Sequence, residues 1–253
     1  MTDTLYGLNR YRYNPLTEMG FTNFQWVVPR KLARSSQPGY NQSDDTVQSY
    51  SMVQIMFLKL KGIRCIISAN ELGITAESQR LLTNANIVHH HYSVEDGTPP
   101  TAFQLQNAAN VMQQAMAAGG GVLVHCGYGQ GRTGAFVAGW AMLKCFNAGD
   151  HHRQMSRDEM CNSTFMRDNF GVERDTQVAA VRAAAALPAL PTTAPSNTNF
   201  ANFGSAGSWA PPITSNMQLN NGDLALGSPN AVNGTLTFAN FNDGSGSSSD
   251  IDF

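Results

Sequence analysis

The chain has 253 residues, of which 42% are hydrophobic and 13% are charged, and this length suits one sizeable buried core or two smaller ones. The 16 Lys and Arg residues and 18 Asp and Glu residues leave a formal net charge of -2. That balance excludes a global field that would gather nucleic acid or an anionic membrane, so any phosphate recognition must be local. No apolar run approaches the roughly 18 residues of a bilayer-spanning helix.

The N-terminal sequence and the cysteine content predict the cellular compartment. Residues 1–4 (Met-Thr-Asp-Thr) begin no basic segment followed by an apolar one, so no signal peptide is predicted. Four cysteines are too few for a disulfide scaffold in a chain of this length. We therefore expect reduced thiols and a cytoplasmic location.

The first 186 residues alternate strand-like and helix-like segments. The strand-like runs are Gln25–Val28, Arg64–Ser68, Ile87–Tyr92 and Gly121–His125, and the helix-like ones are Asp44–Lys61, Ala76–Asn84, Ala102–Ala118, Thr133–Phe146 and Glu173–Ala186. The first helix is expected to be largely buried and to begin at an Asp pair that caps it. The alternation predicts an α/β fold with a central sheet covered by helices on both faces and a site outside the carboxyl ends of the strands.

The composition changes after Arg182, the last basic residue. We predict one domain over residues 1–186, with its core from about residue 20, and a flexible tail over residues 187–253. The tail is rich in Asn, Ser, Gly and Pro and offers little apolar surface to offset the entropy of ordering. The tetrapeptide Phe-Ala-Asn-Phe occurs at residues 200–203 and 238–241, which keeps partner-docking motifs or a small β element open as alternatives.

One segment carries the chemistry, a buried strand that runs through a glycine-rich loop into a helix at residues 122–134. The glycines allow tight folding, so successive loop amides can form a nest for an anion, and the following helix adds its positive dipole end. The same amides would stabilise a thiolate at Cys126, and Arg132 can grip two phosphate oxygens. The loop lacks the Gly-Lys-Ser/Thr ending of a loop that binds nucleoside triphosphates. A structural cysteine in a tight turn is the alternative.

The family resemblance is carried by His125-Cys126-x-x-Gly129-x-x-Arg132-Thr133-Gly134. This loop resembles the signature of cysteine-dependent protein phosphatases, and its surroundings look most like the small atypical dual-specificity branch. Two flanking segments, Leu32–Pro38 and Val172–Gln177, also resemble that family, so the likeness covers about residues 20–186. It implies a mainly parallel sheet of the protein tyrosine phosphatase type.

The resemblance implies roles for the loop residues. Cys126 is expected to be the nucleophile, and phosphate to be held by Gly127, Tyr128, Gly129, Gln130, Gly131 and Arg132. His125 is expected to orient the loop, and the Thr133 hydroxyl to donate a hydrogen bond to the thiolate. No metal or cofactor is expected. Gln177 resembles a glutamine that positions water in classical relatives, although a helix-surface amide is the simpler interpretation.

The reaction also needs an acid, because an alkoxide or phenoxide leaves poorly without a proton. The family supplies an aspartate from a mobile upstream loop. Here the sequence Val-Glu-Asp-Gly-Thr-Pro-Pro at residues 94–100 places Asp96 as that acid, with Glu95 as the alternative. A solvated loop carboxylate is the other interpretation of either residue.

Three other features invite functional interpretations. The run His89–His91 lies on a predicted strand, so only His89 and His91 share a side, and a role in shaping the cleft is favoured over a metal site. Cys145 is too far along its helix to form a disulfide with Cys126. Cys65, on a strand that could neighbour the Cys126 strand, is either a core residue or a thiol that protects the nucleophile.

The substrate class is inferred from the variable loop positions Gly127, Tyr128, Gln130 and Gly131, which are all uncharged. Related phosphatases that prefer inositol polyphosphates or RNA 5′ ends commonly carry basic residues in or around this loop, so the resemblance favours a singly phosphorylated group here. Phosphotyrosine in a protein fits best, with phosphoserine and phosphothreonine as further options. Tyr128 at the rim either stacks on an aromatic substrate or covers a narrow pocket. The alternatives are an RNA 5′-phosphate or phosphoinositide phosphatase, served by the N-terminal basic residues Arg10, Arg12, Arg30, Lys31 and Arg34, or a phosphate-binding module without turnover. We expect no nucleic-acid partner and no membrane span, and the tail is the candidate docking segment.

Overall fold

The computed structural model describes residues 4–5, 7–41, 47–145 and 162–186, which fall within one compact unit. The strands are β1 (Thr4–Leu5), β2 (Leu8–Asn9), β3 (Thr17–Glu18), β4 (Phe21–Thr22), β5 (Gln25–Val28), β6 (Leu32–Ser36), β7 (Ile63–Ser68), β8 (Val88–His91) and β9 (Gly121–Cys126). The helices are α1 (Met52–Leu60), α2 (Ala76–Asn84), α3 (Ala102–Ala117), α4 (Gly131–Trp140), α5 (Ser163–Phe170) and α6 (Asp175–Ala186).

The main sheet has five strands in the order β5-β6-β9-β7-β8. All neighbours pair in parallel except β5, which runs antiparallel to β6 at the edge. Strand β9 is central and fully buried, as expected of a parallel strand covered on both faces. Its register pairs Cys126 with Ser36 and His125 with Ser68, so the carboxyl ends of three strands meet at the start of the glycine-rich loop.

Helices cover both faces of the sheet. One apolar cluster packs α3, α4, α5 and α6 against residues such as Val122 and Val124, and it includes Cys126. The other packs α1 and α2 against Leu123 and Ile66. Adjacent strand residues point to opposite faces, which explains why alternate side chains of β9 belong to different clusters. The fold is the predicted mainly parallel α/β sheet flanked by helices.

Helix α1 differs most from its prediction. It begins at Met52, because Ser51 caps it and forms a reciprocal capping box with Gln54. Gln48 instead forms a parallel bridge with Ile74, so residues 47–50 are not helical, and the predicted Asp44–Asp45 cap lies outside the described residues. The helix is not largely buried either: Met52, Val53, Met56 and Leu60 are all more than half exposed.

Other differences lie at element ends and in segments without an apolar pattern. Helix α4 begins two residues before the predicted Thr133 and continues as a π-helical segment, Ala141–Cys145, and α6 begins at Asp175 rather than Glu173. Strand β6, the short N-terminal strands and α5 were not predicted. The tail, both Phe-Ala-Asn-Phe repeats and the end of the predicted helix at Phe146 lie outside the described residues. Within the described ranges, none of the helices combines the length and apolarity needed to cross a bilayer.

Candidate active site

The nucleophile candidate lies at the carboxyl end of the central strand. Cys126 is the last residue of β9 and is only 3% exposed. Its Sγ lies 3.4 Å from the carbonyl oxygen of Gln130, across the loop that leads into α4. Gln130 is the N-cap residue of α4, yet its side chain does not cap the helix. The first-turn amides are therefore available to an anion bound above the cysteine.

Arg132 joins the loop to the proposed acid. The guanidinium is 4% exposed, and its Nη1 donates to the carbonyl oxygens of Val94 at 3.0 Å and Ala69 at 3.3 Å. Its Nη2 lies 2.7 Å from Oδ1 of Asp96, whose side chain is 71% exposed. The structure thus brings three predicted residues, Cys126, Arg132 and Asp96, to one site.

Arg34 supports the loop from below. It is fully buried, and its Nε and Nη2 donate to the Gly129 carbonyl oxygen at 3.1 and 2.7 Å, while Nη1 donates to the carbonyl oxygen of Phe170. Its guanidinium also lies 4.2 Å from the ring centroid of Tyr11. Burial lowers the pKa of Arg34 to about 10. The expectation that Arg34 contributes to an exposed basic cluster is therefore wrong, because its hydrogen bonds require it inside the domain.

Gly129 lies where β6 approaches the loop most closely. Its φ of +89° is in the left-handed region that favours glycine, and a Cβ built there would lie 2.3 Å from the Ser35 carbonyl group. Asn23 adds long hydrogen bonds from Nδ2 to the carbonyl oxygens of Gly129, at 3.4 Å, and Tyr128, at 3.5 Å. The loop is thus held in place by backbone contacts that only glycine allows.

His125 is fully buried and directly precedes Cys126. Its Nε2 lies 2.9 Å from the hydroxyl oxygen of Tyr50, and its carbonyl oxygen accepts a hydrogen bond from the Ala69 amide at 2.8 Å. Burial raises the pKa of the Tyr50 hydroxyl, so this group stays protonated. These contacts suit the loop-orienting role predicted for His125, and Tyr50 is a partner that the sequence did not indicate.

Two predicted residues are placed differently than expected. The Thr133 hydroxyl is buried, but among the described residues it has no hydrogen-bond partner, so the expected bond to Cys126 is not formed. Gln177 is only 1% exposed, so its interpretation as a helix-surface amide is wrong. Its Oε1 accepts hydrogen bonds from the amides of Glu173 and Arg174, and its Nε2 donates to the Thr98 carbonyl oxygen at 3.3 Å. These contacts connect α6 to the loop that contains Asp96.

Glu173 adds a second carboxylate that sequence reasoning missed. A Cβ built on Gly131 would lie 2.3 Å from its Oε2, which places the carboxylate at the N-terminus of α4. Burial, followed by the charge of Asp96, raises the pKa of Glu173. Glu173 belongs to the Val172–Gln177 segment that resembles the family. Its distance from the glycine-rich loop could not be predicted, because it depends on how α6 packs against α4.

The remaining candidates lie outside this site. Cys65 pairs with Val122 in the sheet, four residues before Cys126, which places it about 13 Å away along the strand and beyond disulfide reach. Burial raises the pKa of the Cys65 thiol to about 12, so the core interpretation holds. His89 and His91 do share a side, with ring centroids 6.5 Å apart. Among the described residues, no group of three or more His, Cys, Asp or Glu side chains is placed to hold a metal ion.

The site combines a buried cysteine at the start of a glycine-rich loop with an arginine that joins the loop to an aspartate, which is the arrangement expected from the sequence resemblance. Residues 40–145 match a family model described as a polymorphic toxin system, DSP-PTPase phosphatase. Over these residues the chain is similar to cysteine-dependent protein tyrosine phosphatases of the dual-specificity type.

Curated relatives are similar over about half of this chain. The dual specificity protein phosphatase CDC14C of Symphalangus syndactylus is 26% identical over 145 residues, which are 54% of this chain and 27% of that protein. The tyrosine-protein phosphatase CDC14 homolog of Schizosaccharomyces pombe is 26% identical over 135 residues, 51% of this chain and 24% of its own length. The matched region thus spans about a quarter of these relatives. The crystal structure of Tk-PTP in the active form superposes with a TM-score of 0.44 at 18% identity and covers 61% of this chain and 91% of that one.

Proposed function

We propose that this chain is a phosphomonoester hydrolase that works through a phosphocysteine intermediate on Cys126. Its proposed substrate is phosphotyrosine in proteins, with phosphoserine and phosphothreonine as further substrates. The ion pair between Arg132 and Asp96 carries the proposal, because it sets the carboxyl group proposed as the acid 2.7 Å from the guanidinium that would hold the phosphate. The same arginine lies in the first turn of α4, at the end of the loop that begins after the buried Cys126.

The proposed first step transfers the phosphoryl group to sulfur. The Cys126 thiolate attacks phosphorus, the bond to the leaving oxygen breaks, and Asp96 gives that oxygen its proton. Arg132 and the loop amides of residues 127–132 hold the three other phosphate oxygens and the charge that develops on them. Because Arg132 is anchored by Val94 and Ala69 through Nη1, its remaining donors keep a fixed direction.

The proposed second step releases phosphate. Water attacks the phosphocysteine, Asp96 takes the proton of that water, and the sulfur–phosphorus bond breaks to restore the thiolate. Gln177 is anchored by three backbone contacts and so fits a role in holding the acid loop better than one in positioning water.

The test is a phosphate-release assay with EDTA present, on p-nitrophenyl phosphate and on phosphotyrosine, phosphothreonine, RNA 5′-phosphate and inositol phosphate substrates. We expect turnover of phosphotyrosine that falls by at least about 10⁴-fold in Cys126→Ser. The matched control is Cys65→Ala, which removes a buried thiol from the adjacent strand and should retain turnover. Folded wild-type protein that binds phosphate but turns over none of these substrates would instead favour a binding module, and preference for RNA or inositol phosphate would overturn the substrate class.

A further inference from the structure

A cavity of about 480 Å³ lies beside the glycine-rich loop. Its lining consists of tyrosine, threonine, proline, asparagine and glutamine, and the described residues that line it include no charged side chain. Three tyrosines dominate it, Tyr13 from the N-terminal segment, Tyr40 after β6, and Tyr128 from the loop itself. We call this cavity, whose lining also includes Gln130, the tyrosine pocket.

The tyrosine pocket shares two residues with the proposed phosphate site. Tyr128 and Gln130 belong to the loop, and the Gln130 carbonyl oxygen lies 3.4 Å from Sγ of Cys126. The Gln130 side chain is fixed by Tyr11, whose hydroxyl donates to its Oε1 at 3.0 Å. The loop therefore lines both the proposed phosphate site and this pocket, so a peptide whose phosphotyrosine lies in the loop passes beside the pocket.

The spacing of the rings decides between two kinds of occupant. The ring centroids of Tyr13 and Tyr128 are 5.8 Å apart with planes 28° from parallel, and those of Tyr40 and Tyr128 are 5.6 Å apart at 59°. A flat base held between two rings would need them about 7 Å apart, twice the carbon–carbon contact distance. Neither pair leaves that slot. An aromatic side chain that packs edge to face on the exposed ring of Tyr13 needs no slot.

We propose that the tyrosine pocket is a substrate subsite that receives an uncharged aromatic side chain adjacent to the phosphotyrosine of a protein substrate. This inference rests on the proposed function and names the sequence preference of the same site. Because the described lining offers no ion-pair partner, acidic or basic neighbours gain nothing there, and the selectivity comes from ring contact. Tyr13 is 68% exposed, so the part of its ring that does not stack on Tyr128 is accessible to a ligand.

The test compares phosphotyrosine peptides that are identical except at the two positions on either side of the phosphoresidue, each occupied by Phe, Ala, Glu or Lys. We expect Phe at one of these positions to raise kcat/KM about ten-fold over Ala. That ratio should fall to about one in Tyr13→Ala or Tyr40→Ala and be retained in Tyr13→Phe, which keeps the ring. Equal kcat/KM for Phe and Ala peptides, or a ratio that persists in both alanine variants, would overturn the subsite.

A binding measurement keeps the two proposals separable. Fluorescence anisotropy of the same labelled peptides on Cys126→Ser reports the Phe-to-Ala ratio without turnover, so it decides on the pocket even if wild type hydrolyses nothing. A ratio near ten supports the subsite, and a ratio of one rejects it. Nucleoside 5′-monophosphates form a third arm, in which tighter binding than the Phe peptide, lost in Tyr40→Ala, would show that the pocket takes a base and overturn the peptide inference.

Discussion

The floor of the site consists of Cys126, His125 and Arg132, all at most 4% exposed, whereas Asp96 at its rim is 71% exposed. The floor is fixed by backbone carbonyl groups, by Tyr50 and by the buried Arg34 beneath the loop. The rim is attached through one ion pair and the Gln177 contact to Thr98. A phosphate site must keep its donors in place, while an acid must approach each new leaving oxygen, so the two regions need different rigidity.

The largest expected effect comes from breaking the floor at Gly129. In Gly129→Ala the Cβ meets the Ser35 carbonyl group at 2.3 Å and the residue must keep a φ of +89°, so we expect a loss of about 3–5 kcal/mol in the free energy of unfolding, together with lost turnover. Urea denaturation measures this loss in the free energy of unfolding. The control is Gly39→Ala, which has a φ of +66° but open space around it and should cost only about 1 kcal/mol. Equal costs would show that β6 does not confine the loop.

Removing the acid at the rim should affect chemistry and leave the fold unchanged. We expect Asp96→Asn to lower kcat on a phosphotyrosine peptide by about 10²-fold, with a smaller loss on p-nitrophenyl phosphate, whose leaving group needs less protonation. Thermal unfolding should change little, because the side chain is mostly exposed. Glu95→Gln is the matched control, and a larger kcat loss there than in Asp96→Asn would transfer the acid role to Glu95.

The pH dependence of stability probes the strand that precedes the acid loop. Burial, together with the charges of His91 and His90, lowers the pKa of His89 to about 4, and its Nε2 lies 2.8 Å from the Ser68 hydroxyl. The unfolded chain therefore binds more protons than the native one below pH 6.5, so stability falls as the pH drops from 6.5 towards 4. At pH 5 this group costs about 2 kcal/mol. His89→Gln should flatten the decline in denaturant titrations, and an unchanged slope would contradict the assignment.

The smallest expected effect comes from removing the Tyr50 hydroxyl. It tests whether the contact between Tyr50 and His125 supports the loop or contributes to stability alone. Tyr50→Phe removes the hydroxyl that lies 2.9 Å from Nε2 of His125 and should cost about 1 kcal/mol of stability. It should also lower kcat, because His125 adjoins the nucleophile. Tyr92→Phe removes a comparable hydrogen bond to Asn107 and should cost similar stability with less effect on kcat. If both variants lower kcat equally, the Tyr50–His125 contact has no special role in the site.

Sequence reasoning succeeded where the information is local. The strand, loop and helix around Cys126 could be predicted, because buried β-branched residues, glycines and a following helix are read from one continuous segment. Asp96 could be placed only through a family resemblance and the two prolines after it. The two covered faces of the sheet followed from the alternation of elements, whereas the order of its strands was not predicted.

The failures concern contacts between distant segments. Arg34 was expected on the surface because arginine is seldom fully buried, yet its burial is stabilised by carbonyl groups of Gly129 and Phe170, far along the chain. Gln177 was misplaced for the same reason. The start of α1 was misplaced because the apolar pattern continues N-terminal of Ser51, whereas the capping box of Ser51 and Gln54 makes the helix begin at Met52. The exposed Met52 and Met56 show that apolar density alone does not measure burial.

The contact between Asp96 and Arg132 also bears on how the product departs. In this structure the Asp96 carboxylate is paired with the Arg132 guanidinium, which free phosphate would also need to contact. In the proposed mechanism, inorganic phosphate must compete with this tethered carboxylate for Arg132, so we expect the Asp96 loop to weaken product inhibition. Because Asp96 is largely exposed, salt screens this internal competitor more than it screens a buried pair. Ionic strength thus governs the balance between retaining phosphate and expelling it.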